Sequence, residues 1–193
     1  MLIGVLALQG AFIEHINILK KLNINCVEIR KKEDALIDFD GLIIPGGEST
    51  CMGKLLRELD IYQVLKNKIE NGLPVYGTCA GMILLAKSIE NNEPHLATMD
   101  IDVRRNAYGR QLSSFSVKEK FDEEKDVEMV FIRAPFIKSV GKNVKVLSIV
   151  NNNIVAALQG NQLVTSFHPE LTNDTRVHEY FIEIIKKNIS RLS

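Results

Sequence analysis

The stretch PVYGTCAGMILLA, residues 74–86, sets Cys79 between Gly77 and Gly81, with an apolar run on either side. A glycine–any–nucleophile–any–glycine pattern between two such runs reads as a strand, a sharp turn and a helix. Small flanking residues let the backbone reverse abruptly and hold the cysteine outward in a strained pose. The helix starting near Ala80 then directs its positive end at the sulfur, which favours a thiolate. The bland alternative is a core cysteine beside packing glycines, since free cysteines are often buried.

Working outward from this unit, the chain alternates in the same way. Leu2 to Leu8 is a short apolar run ending in Gln9-Gly10, as a central parallel strand would. Phe12, Ile16 and Leu19 recur at helical spacing, Cys26 to Arg30 reads as a second strand, and GLIIPGG (41–47) as a third that breaks into a glycine loop. Helical spacing returns at Leu55, Leu56 and Leu59, and again at Ile61, Val64, Leu65 and Ile69. Gly72 and Pro74 stop it. Residues 74–79 form the fourth strand, and AGMILLAKSI (80–89) a helix.

Beyond Pro94 the pattern changes to strands joined by polar turns: 103–119, 127–134, 144–150, 153–159 and 162–167. The charged run EKFDEEKDVE (119–128) reads as a solvated turn. A final helix carries Val177, Tyr180, Phe181, Ile184, Ile185 and Ile189 on its apolar face. The order predicts one α/β domain over 1–193, a doubly wound, mostly parallel sheet flanked by helices, with an antiparallel excursion in the second half.

Composition narrows the function classes. Lysine plus arginine and aspartate plus glutamate both number 24, so the formal charge is zero and nothing suggests a nucleic-acid or anionic-membrane partner. No apolar run approaches the roughly 20 residues that span a bilayer. The opening MLIGVLALQG has no basic segment or small-residue cleavage site and reads as a buried strand. Three widely spaced cysteines (Cys26, Cys51, Cys79) form neither a disulfide framework nor a CxxC metal site, which fits a reducing cytoplasm.

Three segments fall at predicted strand ends, where such sheets gather their chemistry. GTCAG supplies the nucleophile Cys79. SFHPE places His168 and Glu170 two residues apart, which in extended geometry points both to one face. A carboxylate there holds one imidazole nitrogen while the other exchanges a proton with the nucleophile. PGGEST is either a tight turn before an N-capped helix or a source of backbone N–H groups for an anion. It lacks the lysine of a P-loop. Nucleophile, base with orienter, and N–H loop on one sheet edge make up the inventory for acyl transfer.

With those residues in hand, the chain resembles the class I, triad-type glutamine amidotransferases, on Cys79 in GTCAG and HPE at 168–170. Within them it is similar to the glutaminase subunits of pyridoxal 5′-phosphate synthases. That rests on LQGAFIEH (8–15), PGGEST (45–50), RRNAYGRQ (104–111), FIRAP (131–135) and SFHPELT (166–172), in order across nearly the whole chain. Ala80 and Ile83 stand where other members of the class carry leucine and glutamine, and Cys51 stands where a threonine is expected.

The resemblance implies that L-glutamine is hydrolysed to glutamate and ammonia, and that the ammonia passes to a separate pyridoxal 5′-phosphate synthase subunit. It implies no metal and no organic cofactor. Carried over residue by residue, the catalytic set is Cys79, His168 and Glu170, and glutamine contacts fall on Gly47, Glu48, Ser49, Arg105, Ile132 and Arg133. The oxyanion is assigned to N–H groups at Ala80 and at Gly46-Gly47. His15, His95 and His178 are read as structural or solvated, with His178 on the polar side of the last helix. The rival readings are a glutaminase serving a different synthase, and a non-hydrolytic stress or redox protein resembling the DJ-1 group. The latter generally keeps a histidine beside its elbow cysteine, where this chain has Ala80, and lacks a late HPE.

Overall fold

The computed structural model describes residues 1–105, 114–122 and 126–192. The first half is built as the alternation predicts: β1 (Leu2–Leu6), α1 (Phe12–Lys21), β2 (Asn25–Ile29), α2 (Lys32–Leu36), β3 (Gly41–Ile44), α3 (Ser49–Glu58), α4 (Tyr62–Glu70), β4 (Val75–Thr78) and α5 (Ala80–Leu85). The second half contributes β5 (Ala86–Ile89), β6 (Met99–Arg104), β7 (Ser114–Lys120), β8 (Asp126–Ile132), β9 (Phe136–Val140), β10 (Lys145–Val150), β11 (Asn153–Gln159) and β12 (Gln162–Thr165), then α6 (Arg176–Leu192).

The main sheet runs β2-β1-β3-β4-β12-β11-β9-β6-β5, with β10 added on β11. From β2 to β12 every pair is parallel. Beyond β12 the pairs β12–β11, β11–β9 and β9–β6 are antiparallel, which is the expected excursion. The chain leaves β1 toward β2 on one side, then crosses back to β3 on the other. That reversal opens a crevice at the carboxyl ends of β1 and β3.

Alternation along the central strands builds two cores, one on each face of the sheet. Leu42, Ile44 and Val75 pack with Met52, Leu56, Leu65 and Leu84 from α3, α4 and α5. Ile43 and Tyr76 point the other way, to Leu19 of α1, Phe181 and Ile185 of α6, and Phe131 and Phe167 beside the β7–β8 hairpin. Burial on both faces explains why β3 and β4 read as continuous apolar runs.

Four local expectations are corrected. The helix predicted over 80–89 stops at Leu85, and Ala86–Ile89 is an edge strand paired parallel with β6. The six residues of α5 are all buried, so they carry no amphipathic period by which the end could be read. The strand predicted over 103–119 is two elements, β6 and β7, which join different sheets; residues 106–113 lie outside the described residues. The charged run 119–128 is not wholly a solvated turn. Both strands of the hairpin extend into it and Phe121 is buried, while 123–125 lie outside the described residues. On α6, Ile182 is buried and Ile189 is exposed.

Candidate active site

β4 is buried throughout, and Cys79 follows it at φ 49°, ψ −99° before α5 begins at once. Positive φ is strained for a residue with a Cβ, and such strain collects at functional positions. Two contacts hold it. The Cys79 amide donates to the Thr165 carbonyl on β12 at 2.8 Å. A Cβ on Gly81 would stand 2.1 Å from the Ile44 carbonyl oxygen, and one on Gly77 would stand 2.7 Å from the Gly81 carbonyl carbon. The two glycines thus let strand and helix nearly touch, which answers why they flank the cysteine.

His168 and Glu170 come from the segment after β12, but not in the extended form expected. Pro169–Leu171 is a single 3₁₀ turn, which swings Glu170 back under its neighbour. His168 Nδ1 lies 2.6 Å from Glu170 Oε1, with both residues buried. The His168 amide donates to the Val130 carbonyl on β8 at 2.8 Å, so the hairpin fixes the backbone at this point. Gly46 seats the ring from the opposite side: a Cβ there would lie 2.3 Å from His168 Cε1. Burial alone lowers the His168 pKa, but hydrogen bonds to Cys79 and Glu170 outweigh it and raise the pKa to about 10. The ring is therefore an imidazolium at neutral pH.

A cavity of about 510 Å³ opens over these groups. Cys79 and His168 line it together with Gly46, Gly47, Glu48, Ser49, Arg105, Ile132 and Arg133, all named from the sequence. Of the remaining expected site residues, Glu170 sits behind His168, and Ala80 is buried as the first residue of α5. As a first helical residue, Ala80 has an amide with no intrahelical acceptor. Gln9, Gly10 and Ala11 also line the cavity. In the sequence they stand only as the end of a strand and part of a motif. The signal was there, since β1 and β3 flank the switch crevice.

The loop after β3 is tightly tied. Gly46 carbonyl accepts from the Ala11 amide at 3.0 Å, and Gln9 Oε1 accepts from the Glu48 amide at 2.8 Å. Glu48 caps α3 by accepting from the Thr50 and Cys51 amides; burial raises its pKa, but these hydrogen bonds, with the Thr50 side chain and the Arg105 charge, together outweigh it and lower the pKa. Arg105 reaches Glu48, Thr50 and Asn92. Ser49 Oγ is buried with no hydrogen-bond partner among the described residues. Arg133 holds φ 44°, a second strained position on the rim. Among the described residues, no three His, Cys, Asp or Glu side chains group as a metal site would require.

His15 is structural, one of the two readings expected of it, whereas the expected placement of His178 is overturned. His15 and His178 are both fully buried, and their rings meet beneath Glu170. His178 is on the core side of α6, not its polar side, because the α1–α6 layer closes over Tyr76 and encloses both rings.

The family model for the SNO glutamine amidotransferase family matches residues 5–187. A pyridoxal 5′-phosphate synthase subunit PdxT of Clostridium botulinum is 56% identical over 190 residues, covering 96% of this chain and 98% of that protein. Its counterpart in Methanocorpusculum labreanum is 58% identical over 185 residues, at the same coverage. A crystal structure of a glutamine amidotransferase superposes with a TM-score of 0.90 at 45% identity, covering 95% of this chain and 98% of that one.

Proposed function

The chain belongs to the SNO glutamine amidotransferase family, and from that premise we propose that Cys79, His168 and Glu170 are its catalytic triad. It is the glutaminase subunit of a pyridoxal 5′-phosphate synthase, serving vitamin B6 biosynthesis. The observation that carries the site assignment is the convergence of a strained, outward Cys79 and a carboxylate-held His168 on one cavity.

Each step follows from a named group. Glutamine enters with its side-chain amide over Cys79, and Arg105 and Arg133 are the lining guanidinium groups for its α-carboxylate. Ser49 Oγ, buried and unpartnered, offers it a further polar contact. The Cys79 sulfur attacks the amide carbon, and the charge passing to oxygen is met by the Ala80 amide and one from Gly46-Gly47. The His168 imidazolium gives its proton to the leaving nitrogen, and ammonia departs. Acylation removes the hydrogen bond from His168 to sulfur, one of the interactions that raise its pKa. The neutral ring then takes a proton from water, which attacks the γ-glutamyl thioester and releases glutamate.

The partner is a separate synthase subunit in a hetero-oligomer, which takes up the ammonia. The three unpaired cysteines suit a reducing compartment, and we place the chain in the cytoplasm on that ground. The test supplies the synthase subunit with glutamine or with free ammonia. Cys79→Ala is expected to abolish product formation from glutamine and to leave ammonia-driven formation intact. Full glutaminase activity in Cys79→Ala would overturn the assignment.

A further inference from the structure

Glu170 has two carboxylate oxygens, and His168 uses only one. Oε1 holds His168 Nδ1, whereas Oε2 is buried with no hydrogen-bond partner among the described residues. At 3.6 Å from Oε2 stands Nε2 of His15, which also lies 3.1 Å from Thr78 Oγ1. The other nitrogen of His15, Nδ1, is 2.9 Å from His178 Nε2, and His178 Nδ1 is buried without a partner among the described residues. A continuous buried line therefore runs from the cavity through His168, Glu170 and His15 to His178 on α6.

Burial keeps both hidden rings neutral: the His15 pKa is lowered well below its ordinary value, and that of His178 falls to about 3. A neutral imidazole carries one N–H, so the His15–His178 contact has two possible arrangements. In one, His15 Nδ1–H donates to His178. That leaves His178 Nδ1–H as a buried orphan donor and aims a His15 lone pair at a carboxylate oxygen. In the other, His178 Nε2–H donates to His15 Nδ1. The His15 proton then sits on Nε2, within hydrogen-bond reach of Thr78 Oγ1 at 3.1 Å and facing the otherwise unserved Glu170 Oε2 at 3.6 Å. The second arrangement leaves only an acceptor lone pair unfilled on His178, and it places a proton where the buried negative charge has no donor. Orphan buried N–H groups are rare and opposed lone pairs repel, so the second arrangement prevails.

We propose that His15 is a positioning residue for the triad carboxylate, and that His178 sets the tautomer in which His15 turns its N–H toward Glu170. The pair holds the carboxylate from behind, so that Oε1 stays aimed at His168. This rests on the triad reading above. The chemistry is second-hand: neither ring touches the cavity.

The tautomer is read directly by nitrogen NMR of histidine-labelled wild-type chain, free and with the synthase subunit. A proton on Nε2 of both His15 and His178 is expected. A proton on Nδ1 of His15 would overturn the proposal. Kinetics provide a second test, with melting followed for each variant. His15→Leu removes the N–H that faces the buried carboxylate and is expected to lower kcat about 10-fold, of the order of leaving a buried acceptor unserved. The KM for glutamine should stay near wild type. His15→Gln, whose amide N–H lies near the position of Nε2, should recover most of the loss. Unchanged kcat in His15→Leu, or equal losses in the Leu and Gln variants, would reduce His15 to packing. Glu170→Ala separates the two claims: wild-type activity there sinks the triad reading itself, whereas a large loss there beside a silent His15→Leu sinks only this proposal.

Discussion

His168 and Glu170 show how burial and partnership compete at a single side chain. Desolvation pushes the imidazole toward neutrality, and the Cys79 and Glu170 interactions reverse that push. Replacing Glu170 by Gln removes the charge but keeps the shape, so the His168 pKa should fall from about 10, as histidine NMR titration would show. Turnover with glutamine should fall about 10²-fold, within the range attributed to a positioned acid–base group. His168→Ala loses the group proposed to carry the proton, so it should fall further, close to the level of Cys79→Ala. A Glu170→Gln variant as active as wild type would make the triad a dyad.

At the scale of the element, the elbow depends on an approach that only glycine permits. Gly81→Ala gains helix propensity, worth about 1 kcal/mol. It also drives a Cβ to 2.1 Å from the Ile44 carbonyl oxygen, a backbone atom that cannot swing aside. Overpacking of this kind costs about 1–3 kcal/mol, so the clash wins. The variant should unfold at lower denaturant, and Cys79 should react at a changed rate with a small alkylating agent. A variant as stable as wild type, with the same reactivity, would show that α5 shifts freely on β3. The short α5 also shows why element ends escape periodicity. Its six residues are buried on every side, so no polar face marks where helix gives way to β5.

The whole molecule carries a pH dependence set by its buried rings. The folded-state pKa of His178 is about 3, below its unfolded value, and His15 shifts in the same direction. Between pH 3 and 6.5 the unfolded chain therefore binds more protons, so this contribution is full above 6.5 and is lost as pH falls. Two such groups give a slope of up to about 2.7 kcal/mol per pH unit. His168 runs the other way: its contribution is full below 6.5 and is lost as pH rises through about 10. Stability should therefore be greatest near neutrality. Urea midpoints between pH 7 and 5 should drop less steeply in His178→Gln, which keeps a donor but cannot titrate. Equal slopes in the two proteins would contradict a neutral buried His178.

The linear sequence determined the parallel half of the sheet, the elbow at Cys79 and many of the residues that line the cavity, though not Gln9, Gly10 or Ala11. Each of these is a local pattern: a buried run, a turn that demands glycine, or a nucleophile at a strand end. It did not determine how His168 and Glu170 meet, since a 3₁₀ turn replaces the extended spacing, nor that Ala86–Ile89 leaves its helix to pair with β6. Least legible were His15 and His178, which are 163 residues apart in the chain yet 2.9 Å apart in space. Histidine has no fixed preference for inside or outside. Whether it is buried, neutral and paired depends on which layers close over it, and here that is settled only when α1 and α6 pack together on the face of the sheet that carries Tyr76.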